Sequence, residues 1–430
     1  MERAAATHPI RLVVTDDLGR SRLTVFFRLL LSIPHLLWLG LWSAVAFVIA
    51  VLNWFATLIK GRSPQGLHDF LAGYLRYATH VEAYLLLAGN PFPSFFVGSA
   101  KRAYPIDVEI DPPVRQNRWK TLFRGFLALP AVLLSAAFLG GPIAWAVLRG
   151  SGIAATAAFL SWFASLVRGS SPRGLRDTTA WSIGYGVHVG AYLFLLTDRY
   201  PYTGPGQHLA GLEPPEVDER VPTLANDDDG RRSRLTVLLR LPLSFPHIAW
   251  LLLWTVPALV AAVANWFAAL AIGRSPRPLA RFLSAYVRYV AHVTSFLYVA
   301  GNPFPGFAGR QGSYPLDVQI DPFGRQRRWI TLFRLPLAFP ALVVSGAAGG
   351  IALFASVFGW FVSLVRGRMP EGLQTAIAYS VGYSAQLSAY FFVLTDRYPH
   401  SSPQAVFGPR GPVQLTLSEP LDSEGPGAFV

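Results

Sequence analysis

The stretch LLWLGLWSAVAFVIAVLNWFATLI at residues 36–59 decides the fold, because it contains 24 consecutive residues without a charge. An α-helix rises about 1.5 Å per residue, so this run is about 36 Å long and can cross a hydrocarbon core of about 30 Å. The stretch therefore predicts a membrane-crossing helix.

The composition of the whole chain also indicates a membrane protein. Of its 430 residues, 52% are apolar and only 14% are charged, and the mean hydropathy is +0.37. The 37 Lys and Arg residues outnumber the 24 Asp and Glu residues, which gives a net charge of +13. The basic residues border the apolar runs, a pattern that favours anionic lipid headgroups over nucleic acid. The absence of cysteine excludes disulfides and cysteine-ligated metals.

The chain is an internal duplication, and each half contains a second, more diverged copy. RSRLTV at residues 20–25 returns at 232–237, a shift of 212 residues. All four copies share an Arg, a Pro six residues later and a Trp-Phe pair. The predicted organisation is module 1 at 9–93, module 2 at 104–201, a linker at 202–231, module 3 at 232–305, module 4 at 314–399, and a C-terminal strand with a flexible tail at 400–430.

Each module is predicted to be a helical hairpin that begins with an elbow. An interior proline removes a backbone hydrogen bond and clashes with the preceding turn, so Pro34 should separate 22–33 from the span. Residues 22–33 are then an interfacial elbow helix, with Arg22 and Arg28 reaching lipid headgroups and leucine and phenylalanine side chains entering the acyl chains.

The segment after the turn, 65–88, is polar on one side. Asp69, Arg76 and His80 recur at spacings of three and four, which places them on one helix face. A charged residue within a span normally faces the bundle interior or an aqueous cavity. A second, amphipathic span is therefore predicted in each hairpin, which gives about eight transmembrane helices in all.

The second spans contain the candidate intramembrane polar residues. His80, His188 and His292 occupy equivalent positions, and Gln386 stands there in module 4. With Arg76, Arg288 and the lone carboxylate of Glu82, they would form either a proton-relay or anion site, or hydrogen bonds that join the hairpins. The spacing does not choose between these two interpretations.

An arginine opens every module, at Arg28, Arg124, Arg240 and Arg334. Guanidinium binds phosphate bidentately, so one interpretation is a lipid-phosphate site. The other is a plain interfacial anchor that fixes the depth of the helix.

Short alternating segments lie between the hairpins, at 10–15, 106–110, 316–320 and 413–417. Period-two apolarity bounded by Pro and Asp predicts strands, which would meet on one side as a small extramembrane β-sheet. Module 2 differs from the others, since its Pro130 and Trp162 are 32 residues apart where the other modules have 20. The extra residues near 140–152 predict either an interrupted helix or a loop extension.

Motifs of soluble enzymes are absent from the sequence. It has no phosphate-cradling Gly-rich loop, no His-Glu-x-x-His and no Gly-x-Ser-x-Gly. A protein without enzymatic activity, cofactor or metal is therefore expected.

RLTVFFRLLLSIPH at 22–35, NWFATLIKGRSPQGLHDF at 53–70 and YLRYATHVEAYLLL at 74–87 resemble a bacterial multi-pass membrane family, domain of unknown function 4389, in four tandem copies. The resemblance implies residence in the cytoplasmic cell membrane, and it implies no activity or ligand. The expected fold is an all-α membrane protein of four repeated hairpins with elbow helices and a small sheet. The expected function is a membrane scaffold that binds anionic lipids and docks a protein partner through its strands, and not a nucleic-acid-binding protein. The alternative is a small-ion or solute transporter.

Overall fold

The computed structural model describes residues 9–95, 104–140, 152–204, 209–210, 221–321 and 324–407. Each module is a hairpin of three parts: a one-turn elbow helix, a first helix and a second helix of 21 residues. The elbows are Arg22–Phe26, Arg118–Leu122, Arg234–Leu238 and Arg328–Leu332. The first helices are Arg28–Lys60, Arg240–Ile272 and Arg334–Arg366, with Arg124–Leu139 and Ile153–Arg168 together in module 2. The second helices are Gln65–Leu85, Arg173–Leu193, Arg277–Leu297 and Glu371–Phe391.

Every first helix ends at a glycine because its last turn closes in the left-handed conformation. Gly61 has φ 72° and donates its N–H to the Thr57 carbonyl, 2.8 Å away. Glycine adopts this conformation without the steric cost of a Cβ. The extended Pro64 then starts the second helix, so the Gly-x-x-Pro motif turns the chain back on itself.

The break after the elbow falls at the residue before the arginine and not at the proline, which corrects the predicted elbow at 22–33. Phe27 has φ −90° and ψ 10°, and the same geometry recurs at the equivalent residue of every module. Pro34 lies inside the first helix. A proline removes one hydrogen bond, and the rest of the ladder continues because an apolar helix has no other partners for its backbone.

The first helix of module 2 is in two pieces, which fits both predicted alternatives, an interrupted helix and a loop extension. Its two pieces have 16 residues each, so together they almost equal the 33 residues of the other first helices. Their ends meet, since a Cβ on Gly152 would lie 2.1 Å from the Gly140 nitrogen. The extra residues at 141–151 lie outside the described part of the chain.

Among the described helices, three are long and apolar enough to cross a membrane: Arg28–Lys60, Arg240–Ile272 and Arg334–Arg366. Eight transmembrane helices are therefore not confirmed. The second helices have the length of a span, but they are not apolar enough to be among these three.

The strands form two small sheets where one was predicted. Ile10–Val14 pairs antiparallel with Ile106–Ile110, with Leu12 opposite Val108, and parallel with Leu209–Ala210. Thr223–Asn226 pairs antiparallel with Leu316–Gln319. The prediction missed Thr223–Asn226, which lies in the linker at the 212-residue shift from the first strand. The predicted strand at 413–417 is outside the described residues.

The start of the predicted flexible tail is ordered. Pro403–Phe407 forms a short helix, and its Ala405 and Val406 are fully buried. The Ser401 carbonyl accepts hydrogen bonds from Thr178 Oγ1 at 2.6 Å and from the Tyr379 hydroxyl at 2.8 Å. The segment thus ties module 2 to module 4, where the two halves of the molecule meet.

Candidate functional site: buried arginines and the polar face of the second helices

The arginine that opens each module is buried, which corrects its predicted position at lipid headgroups. Arg28, Arg124, Arg240 and Arg334 expose only 1–2% of their surface. Arg28 Nη1 donates to the carbonyls of Tyr84 at 2.8 Å and Gly89 at 3.1 Å. These carbonyls belong to the last turn of the second helix of the same module and to the turn that follows it. The arginine is therefore an internal clamp that closes the open end of the hairpin.

The other three modules repeat the clamp. Arg124 binds the Thr197 carbonyl at 2.8 Å and Asp198 Oδ1 at 3.0 Å, and Arg240 binds the Phe296 carbonyl at 2.8 Å. Each guanidinium also stacks on an aromatic ring at 4.3–4.5 Å: Tyr84, Tyr192, Phe296 and Tyr390. A helix end leaves carbonyls without intrahelical donors, and the clamp satisfies them where water is excluded.

The clamped turn contains a residue with positive φ in every module. Leu87, Leu195, Val299 and Val393 have φ between 61° and 64°. This conformation is uncommon for leucine and strained for the β-branched valine. The turn keeps this shape because its carbonyls are held by side chains from the start of the module.

A second clamp residue, eight positions before the arginine, was missed from the sequence. Arg20 Nη2 donates to the carbonyls of Leu87 at 3.0 Å and Ala88 at 3.1 Å, and it is paired with the buried Asp16 at 2.7 Å. Arg232 repeats this arrangement in module 3, whereas modules 2 and 4 have Gln116 and Gln326. The Asp-Asp-x-x-Arg motif that precedes the elbows of modules 1 and 3 was the available signal.

The polar residues of the second helices bind the strands. His80 Nε2 lies 2.9 Å from Asp107 Oδ1, and Arg76 donates to the Val108 carbonyl at 3.0 Å. In module 3, His292 lies 2.8 Å from Asp317 and Arg288 donates to the Val318 carbonyl at 3.0 Å. The sequence placed these groups on one helix face, and the structure shows that a strand covers that face.

The equivalent positions of modules 2 and 4 bind strand-side backbone. His188 Nε2 lies 3.0 Å from the Ile10 carbonyl, and Gln386 Nε2 donates to the Pro222 carbonyl at 2.9 Å. The polar row of His80, His188, His292 and Gln386 thus joins second helices to strands and does not form one common polar site. Glu82 is half-buried on the second helix of module 1.

The two strand aspartates are held in their charged form. Burial alone would raise the pKa of the Asp107 and Asp317 carboxyls. Hydrogen bonds from the histidines and from backbone N–H groups, together with the nearby arginines, lower it below the ordinary value of a carboxyl. The pairing stabilises the attachment of strand to helix.

The tryptophan of each Trp-Phe pair connects two modules. Trp54 Nε1 donates to the Thr121 carbonyl in the elbow of module 2, at 2.8 Å, and Trp162 Nε1 donates back to the Val25 carbonyl at 3.1 Å. Trp266 and Trp360 make the same exchange between modules 3 and 4, each at 2.8 Å. Modules therefore associate in pairs, 1 with 2 and 3 with 4.

A shallow cleft of about 270 Å³ lies beside the first strand. It is lined by residues 14–18 with Arg173 and Arg176, and by none of the predicted polar residues. Two of its charged residues are in ion pairs: Arg176 Nε lies 2.7 Å from Asp177 Oδ1, and Asp16 Oδ2 lies 2.7 Å from Arg20 Nη2. Within the described ranges, no three His, Asp or Glu side chains are placed to hold a metal ion.

Comparison with known proteins gives a family and no activity. A family model described as "Domain of unknown function (DUF4389)" matches residues 22–97, 118–203, 234–308 and 328–402. Neither the curated proteins nor the solved structures contain a significant match. Each matched segment begins at an elbow and includes both helices and the clamped turn, so the family repeat and the structural hairpin coincide. The chain therefore belongs to the family with this domain of unknown function, DUF4389, which it contains in four tandem copies.

Proposed function

We propose that this protein is a non-enzymatic membrane scaffold. Its first helices and elbows contact lipid, and its strands present a surface to a protein partner. The distribution of exposed apolar side chains supports this proposal. Leu29, Phe47 and Ile59 on one first helix expose 74%, 71% and 74% of their surface. Among the described second-helix residues, only Leu193 and Phe391, both at a helix end, are large, apolar and exposed.

The elbows have the composition of a membrane-interface segment. Trp119 and Trp329 expose 72% and 74% of their surface, and tryptophan is enriched where lipid meets water. The side chains of Lys120 and Arg327 are 53% and 70% exposed beside them. These residues, and not the buried clamps, are the ones that would attract anionic headgroups.

The strands supply the features of a docking platform. Ile106–Ile110 is at the edge of its sheet, and an added strand could pair with its outward backbone groups other than those of Val108, which Arg76 and Asp107 already bind. The outer face is charged, since Arg11 and Glu109 form an exposed ion pair at 2.8 Å. A partner that adds an extended segment along this edge fits both features.

The transport alternative depends on the polar row, and the geometry gives it less support. A relay requires His80, His188 and His292 to share a pathway, but each binds a strand-side oxygen within 3.0 Å. The scaffold is therefore the function that this geometry favours.

Reconstitution of the full chain into vesicles of phosphatidylethanolamine and phosphatidylglycerol tests the proposal. The protein should stay in the vesicle fraction after alkaline carbonate washing, and proton flux should equal that of empty vesicles. A variant with His80, His188 and His292 all replaced by Gln, the residue at position 386, should behave identically. A pH-dependent flux that this variant loses would support the transporter, and release by carbonate would contradict membrane embedding.

A further inference from the structure

The two modules of a pair run in opposite directions. Arg22 in the elbow of module 1 donates to the carbonyl of Val167, at the far end of the first helix of module 2, at 2.9 Å. Arg118 in the elbow of module 2 donates to the carbonyl of Ile59, at the far end of module 1, also at 2.9 Å. The start of each first helix therefore meets the end of the other, and the two helices are antiparallel.

The second pair repeats this inversion. Arg234 donates to the Val365 carbonyl at 3.0 Å, and Arg328 to the Ala271 carbonyl at 2.9 Å. Each end of a pair consequently has one elbow and one Gly-x-x-Pro turn. Basic residues of these features therefore stand at both ends of a pair, with Arg22 at one end of the first pair and Arg62 and Arg118 at the other, so loop charge gives such a pair little orientation across a membrane.

The strands cross the second helices along their length and not at their ends. Arg76 and His80, which bind Val108 and Asp107, are 11 and 15 residues from the start of a 21-residue helix. The outer face of this sheet is charged, since the Arg11 and Glu109 side chains are 43% and 55% exposed. In an upright pair these charges would face lipid near the middle of the hydrocarbon core, where they are very costly.

The exposed apolar surface is on the first helices and elbows, whereas the strands pack on the second helices. A protein that crosses a bilayer upright has a lipid-facing belt around it, whereas this chain has one apolar side and one polar side. The apolar side is also long. Leu29 and Ile59 are both 74% exposed and 30 residues apart, about 45 Å along a helix, whereas a hydrocarbon core is about 30 Å thick.

We infer that the hairpins lie along the membrane plane, with the first helices and elbows sunk into one leaflet and both sheets in water. The inference rests on the proposed lipid contact and specifies its partner as the acyl chains of a single leaflet. The second helices lie at headgroup depth, where a polar helix is stable. Both ends of every hairpin then face the same compartment.

A tag-counting experiment tests this arrangement. The chain has no cysteine, so cysteines can be introduced singly or in pairs without a change of background. Arg62 and Ser170 are exposed and occupy equivalent positions in the turns of modules 1 and 2. R62C/S170C in sealed membrane vesicles is treated from outside with a membrane-impermeant polyethylene-glycol maleimide. Each reactive molecule should gain two tags, whichever way round the protein was inserted.

The other outcomes are distinct. One tag per molecule, with the second added only in detergent, overturns the inference, because upright inverted modules place the two turns on opposite sides. Carbonate-released protein instead contradicts the proposed function. E109C on the sheet should be tagged together with the turns, whereas L41C on the first helix should be tagged only in detergent. An untagged E109C with turns on opposite sides would indicate an upright dimer joined through its sheets.

Discussion

The first and second helices of each hairpin contrast in both polarity and burial. The first helix of module 1 is almost wholly apolar, and its buried residues form one stripe that includes Arg28, His35 and Asn53. The second helix of module 2 is rich in polar groups and is nearly all buried, with Arg176, Asp177 and His188 inside. In water the apolar helix would form the core and the polar helix the surface. The reversed arrangement supports the proposed contact of the first helices with lipid, and the interior depends on matched polar groups.

The pairing of each buried polar group with a hydrogen-bond or ion-pair partner makes the polar interior stable. A buried polar group costs free energy unless it has a partner, and a buried charge costs more. The first helices supply the clamps for the ends of the second helices, and the strands supply oxygens for their polar faces. Substitutions that separate these partners should therefore affect stability more than substitutions on the exposed apolar surface.

The largest effect is expected from the clamp. Arg240→Ala removes the donors for the Phe296 and Gly301 carbonyls and leaves a cavity beside the Phe296 ring. The free energy of unfolding should fall by about 3 kcal/mol. Thermal unfolding of the full chain in detergent would measure it. Arg231→Ala is the matched control, because the Arg231 side chain is 80% exposed, and equal losses in both variants would contradict the clamp.

The interruption in module 2 should be the next most sensitive site. Gly152→Ala places a Cβ 2.1 Å from the Gly140 nitrogen, so the two helix pieces must separate. We expect a loss of about 2–3 kcal/mol from overpacking. Gly349→Ala lies near the equivalent point of module 4, with open space around it, and should be neutral or stabilising by up to about 1 kcal/mol. A tolerated Gly152→Ala would mean that the pieces do not abut.

Loss of an aspartate that attaches a strand to a second helix should lower the free energy of unfolding by less than loss of a clamp. The hydrogen bond from Arg288 to the Val318 carbonyl remains in such a variant. Asp317→Asn takes a charged acceptor from His292 and should cost about 2 kcal/mol. A carboxyl with a lowered pKa stabilises the fold above its unfolded pKa of about 3.9, and this stability is lost as pH falls through the folded value.

The Asp317→Asn variant should therefore show a flatter loss of stability below about pH 4 than the parent protein. Unfolding midpoints measured between neutral and acid pH would test this. Identical profiles would show that the Asp317 carboxylate is not part of the attachment.

The contact between modules should give the smallest change. Trp266→Phe keeps an aromatic side chain but replaces the indole by a smaller ring without the N–H that donates to the Thr331 carbonyl, which predicts a loss of about 1 kcal/mol. Trp329→Phe alters a tryptophan that is 74% exposed and should leave stability in detergent unchanged. If the two variants are indistinguishable, the exchanged tryptophans do not hold the pairs together.

Much of the fold was predictable because the same sequence pattern occurs in four copies. The hairpins, the turns and three strands follow from apolar periodicity with Gly and Pro, and the family match agrees with the four copies. The strand Thr223–Asn226 was missed because its own sequence is only weakly strand-like. Its pairing with Leu316–Gln319 in the structure identifies it as a strand.

The candidate site was less predictable. The sequence indicated that Arg28 and His80 matter, since each recurs between modules, but not what they bind. Their partners, the Tyr84 carbonyl and the Asp107 carboxylate, are 56 and 27 residues away along the chain. A backbone carbonyl has no sequence signature, so a clamp that binds one resembles an interfacial anchor until the hairpin is folded.

The sequence by itself determined the long apolar first helices, the four hairpins and the positions of their turns, because apolar run length and Gly-Pro chemistry act locally. Only the tertiary structure decided that neighbouring modules are inverted, that the arginines face inward and that the strands cover the polar row. These features depend on which helix end meets which elbow. That choice is set by contacts between residues far apart in the chain, such as Arg22 and Val167, which are 145 positions apart, and no local pattern encodes it.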